Sequence, residues 1–411
     1  MLTGPLRARR MRPSQVFPGV SMHSTKHRPV ARSLPAIALV LAVFVTQPVC
    51  AQTYQVLYRF SGGKDGAYPS GRLLRDSKGN LYGANQLAIY KLDSTGKLTV
   101  LYTFHGGADG SGPNGTLIRD SSGNLYGTTT QGGTGCSGLG CGVVFKLSTS
   151  RKEKVLYTFT GGADGGTPSG GLVRDSAGNL YGTTLGFGAH LVGVVFKLDS
   201  SGTESVLHNF ANFPSDGALP EATLVRDEEG DLYGTTYEGG ASGLGTVFKL
   251  DTTGKETVLH SFTGADGQQL YADLTLGAND TLYGTAWGGG KGGGVVFKLG
   301  THEKVLYQFT SGTDGGNPYG GVLQASGNLY GTANRAGAAG VGVVFKLDSS
   351  GKETVLHSFA GGTDGAQPYG DLIRDAQGNL YGTTYYGGSS GCSKGCGVIF
   401  RISGAVPAGL H

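Results

Sequence analysis

The chain has 411 residues, of which 77 are Gly, 14 are Pro and 15% are charged. This amount of Gly without a Gly-X-Y period excludes a collagen-like chain, and 20 Tyr with 17 Phe are too many for a disordered linker. The composition therefore indicates a folded domain of many short strands joined by tight turns.

Residues 1–51 differ from the rest of the chain. They contain seven basic residues and no acidic residue, and an apolar run at residues 34–45 precedes Val49-Cys50-Ala51. This order of basic, apolar and small residues is typical of a secretory signal peptide, and we predict cleavage after Ala51. A start at Met22 would give a leader of ordinary length. The apolar run is too short to span a bilayer comfortably.

Without this leader the chain has 26 basic and 29 acidic residues, a net charge of −3. No basic patch remains for nucleic acid. Four of the five cysteines also remain, and an even number in an exported protein favours disulfides. We expect a secreted monomer without a membrane span, with the periplasm or the cell surface as alternative locations.

Three short motifs recur seven times, always in the same order. The segment Val-Leu-Tyr-Arg-Phe at residues 56–60 returns at intervals of 44 to 55 residues. Leu-Tyr-Gly begins at seven positions from Leu81 to Leu380, and Val-Phe-Lys-Leu or a close variant begins at seven positions from Ile89 to Ile399. Repeats of this length indicate units that bury their faces against one another.

Each unit contains four predicted strands, labelled A to D. In the second unit they span residues 116–119, 125–129, 142–147 and 155–159, and none has the length or period of a helix. Four short antiparallel strands per unit are typical of a propeller blade. We therefore predict an all-β, seven-bladed β-propeller over residues 52–403 and a short disordered tail at residues 404–411. A parallel β-solenoid is the main alternative.

The two ends of the repeat region predict how the ring closes. The region begins with a D strand at residues 55–60 and ends with strands A, B and C, the last at residues 399–402. We predict that the first strand completes the seventh blade, because this pairing removes the exposed sheet edges. A solenoid would leave no complementary ends.

The repeat resembles a known family. Tyr-Gly-Thr-Thr at residues 126–129, then Gly-Gly and Gly-Val-Val-Phe-Lys-Leu-Asp, look like the GloVer tandem repeat of "choice-of-anchor" proteins, and Leu356–Gly365 is similar to its continuation. The resemblance covers nearly all of residues 54–403 and implies an exported bacterial repeat protein without an established activity. Residues 403–411 lack the apolar run and basic end of a sorting anchor, which favours release.

The strands alternate in direction, so the A–B and C–D turns share one face and the B–C and D–A loops share the other. On the first face, repeated Asp-x-x-Gly turns are expected to bond their own backbone. On the second face, every D–A loop contains Asp-Gly, for which we expect a structural role in the turn. A ring of seven carboxylates that binds Ca²⁺ or a cationic ligand is the alternative. The ring consists of Asp65, Asp109, Asp164, Asp216, Asp266, Asp314 and Asp364.

The B–C loops vary most between units, as binding loops on a rigid scaffold do. Two of them carry cysteine pairs, Cys136/Cys141 and Cys392/Cys396. One disulfide within each loop is the simplest pairing, and cross-pairing or a four-Cys zinc site are alternatives. Aromatic residues end strand B in several units, and their rings suit stacking against sugars, with packing between blades as the alternative. They are Tyr237, Trp287, Tyr385 and Tyr386.

No catalytic motif occurs in its proper context. Acidic residues specific to one unit on the loop face include Glu221, Glu238 and Asp273. Glu238 beside Tyr237 is the catalytic candidate, although glycoside cleavage requires two placed carboxylates. His190 has no identifiable partner for a role as a base.

We therefore expect a non-catalytic binding or cell-surface interaction module without a cofactor. Its predicted partner is a polysaccharide or an extracellular protein. A polysaccharide hydrolase or lyase and a structural envelope protein are the alternatives.

Overall fold

The computed structural model describes residues 52–136, 138–211 and 214–406. The predicted signal peptide, with Met22 and Cys50, lies outside the described residues. Within the described chain the regular elements are thirty β-strands and one 3-10 turn at Gly362–Asp364. No helix in this part of the chain has the length and apolar character needed to cross a bilayer.

Twenty-eight strands form seven antiparallel sheets of four strands, the blades of a β-propeller. Blade 1 contains β2 (Leu74–Arg75), β3 (Leu81–Ala84), β4 (Ala88–Leu92) and β5 (Leu98–Thr103). Blade 2 contains β6 (Ser111–Arg119), β7 (Leu125–Gln131), β8 (Val143–Leu147) and β9 (Glu153–Thr158). Blade 3 contains β10 (Val173–Arg174), β11 (Leu180–Thr184), β12 (Val194–Leu198) and β13 (Glu204–Asn209).

The remaining blades follow the same order from strand A to strand D. Blade 4 contains β15 (Val225–Arg226), β16 (Leu232–Thr236), β18 (Thr246–Leu250) and β19 (Glu256–Ser261), with an added hairpin of β14 (Gly217–Ala218) and β17 (Glu238–Gly239). Blade 5 contains β20 (Thr275–Leu276), β21 (Leu282–Ala286), β22 (Val295–Leu299) and β23 (Glu303–Gln308). Blade 6 contains β24 (Leu323–Ala325), β25 (Asn328–Ala333), β26 (Val343–Leu347) and β27 (Glu353–Ser358). Blade 7 contains β28 (Ile373–Arg374), β29 (Leu380–Thr384), β30 (Val398–Ser403) and β1 (Thr53–Arg59).

The ring closes through blade 7. Strand β1 pairs antiparallel with β30, from Thr53 opposite Ser403 to Arg59 opposite Val398. The predicted seven-bladed fold and its closure by the first strand are therefore confirmed. Pairing the two ends of the chain removes the free edges that an open sheet would expose.

The structure differs from the prediction at the first residues of the tail. We expected disorder from residue 404, but Ala405 and Val406 are buried in the core of the last blades. The Val406 N–H also donates to the Gly378 carbonyl at 3.2 Å. Burial of these two apolar side chains favours an ordered chain at this point. Residues 407–411 lie outside the described part.

The Gly of each Leu-Tyr-Gly motif makes room for an aromatic ring. In blade 2, Gly127 on β7 lies opposite Phe145 on β8, and a Cβ on Gly127 would lie 2.8 Å from the Phe145 ring. The other blades repeat this contact, with Tyr90 in place of Phe in blade 1. Gly weakens a strand, so its presence here marks a close approach.

Those rings also join neighbouring blades. Each packs edge to face against the Phe that follows strand D of the preceding blade, with centroids 5.0–5.4 Å apart. Phe104 and Phe145, for example, lie in one buried cluster built from blades 1 and 2. Such pairs contribute about 0.5–1.5 kcal/mol beyond their buried area. The core is therefore divided among the interfaces between blades.

Candidate functional site

A cavity of about 620 Å³ opens on the face of the B–C and D–A loops. All seven blades line it, six with residues just before strand A and blade 2 with the first residues of β6, and residues at the end of strand B or in the B–C loop add a few side chains at the rim. The cavity therefore lies where the seven blades converge. We call it the central cavity.

Close backbone approaches join neighbouring blades along the wall of the central cavity. A Cβ on Gly71 would lie 2.2 Å from the Gly115 carbonyl oxygen, and one on Gly170 would lie 2.5 Å from the Ala222 carbonyl oxygen. On the other side of the ring, a Cβ on Gly370 would lie 2.7 Å from the Gly71 carbonyl oxygen. Gly is required here because successive backbones touch.

One side of the rim is aromatic. Tyr271, Tyr319 and Tyr369 occupy the same position in blades 5, 6 and 7, four residues before the first residue of strand A. Tyr271 stacks on Tyr319 with centroids 4.5 Å apart, and Tyr369 lies 4.6 Å from Tyr319 and 5.0 Å from Tyr385. Together with Tyr386, 4.9 Å from Tyr385, they form a continuous arc of half-buried rings. We call it the tyrosine arc.

The opposite side of the rim carries small polar side chains. Blades 1 to 3 contribute Ser70, Ser111, Thr130 and Ser169 to the cavity lining. Gln86 connects the two sides, because its Nε2 donates to the Tyr385 hydroxyl at 2.6 Å. The rim is therefore asymmetric in a ring whose blades are otherwise alike.

Carboxyl groups also line the central cavity. Asp273 accepts from the Thr223 N–H at 2.7 Å, and Asp371 accepts from the Gly321 N–H at 2.6 Å, so each connects two neighbouring blades. Burial raises the pKa of both carboxyl groups, and the charge of Asp371 raises the pKa of Asp273 further, whereas Arg72 lowers both. Burial also raises the pKa of Glu221, at the rim, to about 7.

Carboxyl groups with raised pKa values in a concave site fit two chemical roles. As neutral acids they donate hydrogen bonds, and as carboxylates they accept them from hydroxyl groups. Perturbed pKa values also mark candidate acids and bases.

The predicted aromatic residues are divided between the cavity and its border. Tyr385 and Tyr386 line the central cavity. Tyr237 and Trp287 lie outside the lining but contact Tyr271, with centroids 4.9 Å and 6.4 Å away. The Arg335 guanidinium lies over the Trp287 ring at 5.5 Å.

The predicted catalytic residue lies elsewhere. Glu238 is exposed on the hairpin strand β17, where its backbone pairs with Ala218, and it is not part of the cavity lining. His190 is also exposed. Glu221 and Asp273, the other unit-specific acids considered in the sequence, do line the cavity.

The Asp residues of the D–A loops lie beside strand D, and each is held by the same contacts. Six of the seven accept a hydrogen bond from the backbone N–H that follows the Phe after strand D, as Asp65 does from Ser61 at 2.8 Å. Asp266 accepts from the corresponding Thr263 N–H through its other oxygen. All seven contact a Tyr hydroxyl or a His Nε2 on strand D at 2.8–3.1 Å. These bonds tie each loop to the preceding strand.

The two long B–C loops each contain a local disulfide. Cys136 is bonded to Cys141 and Cys392 to Cys396, with Cα atoms 5.6 and 5.2 Å apart. A Cβ on Gly161 or on Gly62, in the neighbouring D–A loops, would collide with these sulfur atoms. Each disulfide therefore packs on a D–A loop.

Sequence reasoning missed most of the cavity lining, including Tyr271, Tyr319, Tyr369, Asp371 and Arg72. The tyrosines share one repeat position, four residues before strand A, and the charged residues share another, two residues before strand A. A comparison of the seven units at those two positions would have detected them. The strand-end aromatics, in contrast, are recognisable in the linear sequence because they stand beside variable loops.

The fold and the central cavity define a seven-bladed propeller built from tandem repeats. The chain belongs to the Gloeobacter/Verrucomicrobia repeat family, which matches residues 42–248, 85–290 and 222–407. The resemblance identified in the sequence is thereby confirmed. No curated protein sequence matches the chain.

Solved structures show the same fold. Virginiamycin B lyase from Staphylococcus aureus is 14% identical with a TM-score of 0.57, and the match covers 86% of this chain and 99% of that chain. The extracellular domain of a B. thetaiotaomicron protein, assigned as a one component system, has the same identity and TM-score over 86% of this chain and 42% of that chain. At such identities the similarity shows the fold alone.

Proposed function

We propose that the protein is an exported binding module whose central cavity holds a segment of a polysaccharide. The observation that carries this proposal is the tyrosine arc, which presents half-buried rings along one side of an open cavity. Flat aromatic rings bury a large apolar area at little entropic cost and stack on the C–H faces of sugar rings.

The rest of the lining supports a hydroxyl-rich ligand. Ser, Thr and Gln side chains opposite the tyrosine arc offer both donors and acceptors. Asp273, Asp371 and Glu221 add carboxyl groups to which sugar hydroxyls donate. A few convergent polar groups in a partly aromatic concave site are the usual composition of a small-molecule site.

Export is proposed on separate grounds. The sequence begins with a signal-like segment, and the two disulfides belong to an oxidising compartment. Propellers of this shape also occur as extracellular domains. Secretion, with the periplasm or the cell surface as alternatives, fits all three observations.

A polysaccharide hydrolase or lyase is the second candidate, and one observation favours it. Glu221, Asp273 and Asp371 all have raised pKa values and line one cavity. A general acid that is protonated near neutral pH, paired with a carboxylate, is what hydrolysis of a glycosidic bond requires. In this reading the acids are the cavity residues rather than Glu238.

Affinity electrophoresis of the purified protein in gels that contain different polysaccharides tests the proposal. We expect retardation in at least one gel and, for Tyr319→Ala, about tenfold weaker binding, equal to about 1.4 kcal/mol. Tyr283→Ala, which removes a half-buried ring outside the cavity, is the matched control and should bind normally.

Trp287 is the only Trp of the chain, so its fluorescence reports ligand near the neighbouring Tyr271.

The outcomes separate the candidates. Retardation in no gel across a broad panel overturns the polysaccharide proposal and favours a protein partner. Release of new chain ends that stops in Asp371→Asn, while retardation persists, favours the enzyme.

A further inference from the structure

The outer parts of neighbouring blades meet at seven junctions. Each junction combines a Tyr or His near the end of one D strand, the Asp of the following D–A loop, and the residue at the start of the next D strand. At five junctions the residue at the start of the next D strand is Glu. In each of these Glu residues the Oε1 atom is buried and has no hydrogen-bond partner in the described structure. They are Glu153, Glu204, Glu256, Glu303 and Glu353.

The two junctions beside the N-terminal strand differ. Tyr54 in β1 and Leu98 in β5 hold the register position that Glu occupies in the other D strands. The Tyr54 ring stacks on His357 with centroids 3.7 Å apart. His357 and Asp364 therefore meet an aromatic ring in place of a carboxylate.

Two junctions combine all three metal-binding types, a His, an Asp and a Glu. The His208 Nε2 lies 3.1 Å from the Asp216 carboxylate, and the His260 Nε2 lies 2.8 Å from the Asp266 carboxylate. With Glu256 and Glu303, one donor atom from each residue lies within 4.8 Å of the others in both groups. Among the described residues, groups of this kind occur at these two junctions alone.

We propose that these two triads, His208/Asp216/Glu256 and His260/Asp266/Glu303, each bind a divalent transition-metal ion such as Zn²⁺. One imidazole nitrogen and two carboxylates form a three-ligand set that leaves a fourth position for water. Imidazole favours Zn²⁺ and similar ions over Ca²⁺ and Mg²⁺, which prefer oxygen ligands. A bound cation would also supply the partner that the buried oxygens of Glu256 and Glu303 lack.

The surroundings suit a fixed but accessible ion. The His208 and Asp216 side chains are 18% and 10% exposed, so water and a metal ion can reach them. His and Glu project from strands of neighbouring blades, and the loop Asp is held by a backbone N–H. An ion at these junctions would tie blade 3 to blade 4 and blade 4 to blade 5, away from the central cavity.

The other three junctions with Glu lack the His and provide a comparison within the same chain. Tyr102, Tyr157 and Tyr307 replace His there and donate their hydroxyl protons to the loop Asp at 2.9–3.0 Å. Burial and the adjacent Asp raise the pKa of each phenol, so it stays protonated and is a poor metal ligand. The same scaffold therefore exists in this chain with and without an imidazole.

Zinc binding to the purified, tag-free protein, measured by equilibrium dialysis after removal of metal with a chelator, tests the proposal. We expect His208→Tyr and His260→Tyr to lose one bound Zn²⁺ each, and the double variant to lose two. These substitutions reproduce the side chain of the Tyr junctions, so the fold should persist, and circular dichroism verifies it. Co²⁺ absorption should change in parallel with zinc binding, because it reports the ligand geometry.

The controls are His357→Tyr, at the junction without Glu, and His105→Ala, whose ring is 76% exposed. Both should retain all the Zn²⁺ bound by the wild-type protein. Equal zinc binding by the wild type and the folded double variant overturns the proposal, as does the absence of binding by the wild type. Neither outcome depends on what the central cavity binds.

Discussion

The two faces of the propeller differ in how much the repeats vary. On the face of the A–B turns, blades 1, 2, 3 and 7 carry the same bonded turn, in which an Asp accepts hydrogen bonds from an Asn four residues on and a Tyr six residues on. On the loop face, the repeat position that Tyr271 holds in blade 5 is Ser, Asn, Glu or Tyr in the seven units. The first face is constrained by the turn, whereas the second varies at a position whose side chain takes no part in the close backbone approaches between blades.

The same contrast divides the rim of the central cavity. Blades 5, 6 and 7 carry Tyr at the divergent position, whereas blades 1 and 3 carry Ser. The close backbone approaches between blades do not involve these side chains, since they join Gly residues to backbone atoms of the neighbouring blade. Substitutions should therefore distinguish residues that stabilise the ring of blades from residues that bind the ligand in the central cavity.

The largest effect is expected from Gly71→Ala. The added Cβ would lie 2.2 Å from the Gly115 carbonyl oxygen, so two blades must move apart at the inner ring. We expect a loss of about 3 kcal/mol in the free energy of unfolding, measured by urea denaturation. Gly107→Ala, where a Cβ meets nothing within 4 Å, should leave stability unchanged; equal stability of both variants would contradict the closed ring.

A smaller effect is expected on the face of the A–B turns. Asp375 accepts from the Asn379 N–H at 2.9 Å, the Asn379 amide at 2.8 Å and the Tyr381 hydroxyl at 2.8 Å. Asp375→Ala leaves these donors without their acceptor, and we expect a loss of about 2 kcal/mol by urea denaturation. Glu228→Ala, an exposed acidic residue in the corresponding turn of blade 4, is the control. Weaker polysaccharide retardation in the folded Asp375→Ala protein would show that the two faces are not independent.

The smallest effect concerns pH and the Glu residues at the Tyr junctions. Burial first, and then the neighbouring Asp, raise the pKa of Glu153, Glu204 and Glu353 from 4.5 to about 7. The folded protein thus binds more protons than the unfolded chain between these values, so stability should fall as pH rises from 4.5 to 7. Replacing all three by Gln should leave stability at pH 5 unchanged and raise it at pH 8, on the order of 1 kcal/mol in total because solvent screens these half-buried groups.

Thermal unfolding at both pH values measures this difference. Glu229→Gln, an exposed residue in a turn, serves as the control and should show the pH profile of the wild type. A triple variant that loses stability with rising pH as steeply as the wild type would show that these carboxyl groups are not the cause.

Much of this architecture could be predicted because it is repeated. Val-Leu-Tyr, Leu-Tyr-Gly and Val-Phe-Lys-Leu each mark one strand, and their sevenfold recurrence predicted the number of blades and the closure by β1. The tyrosine arc was missed because Tyr271, Tyr319 and Tyr369 are about fifty residues apart, and only the ring brings them to 4.5–4.6 Å. Tyr385 and Tyr386 were predicted, since they stand at a strand end beside a variable loop.

The strand pattern, the repeat length and the complementary ends can all be read along the linear chain. The sequence by itself therefore specifies a closed all-β ring and its family. Which side chains share the central cavity, and which His, Asp and Glu meet at a junction, depends on the pairing of neighbouring blades. Glu256 and His208 are separated by 48 positions in the chain, and their proximity follows from the contact of two D strands. Proximity of this kind arises from packing across blade interfaces. The three His residues occupy the same repeat position, but His208 and His260 lie beside a Glu of the next blade, whereas His357 lies beside Tyr54.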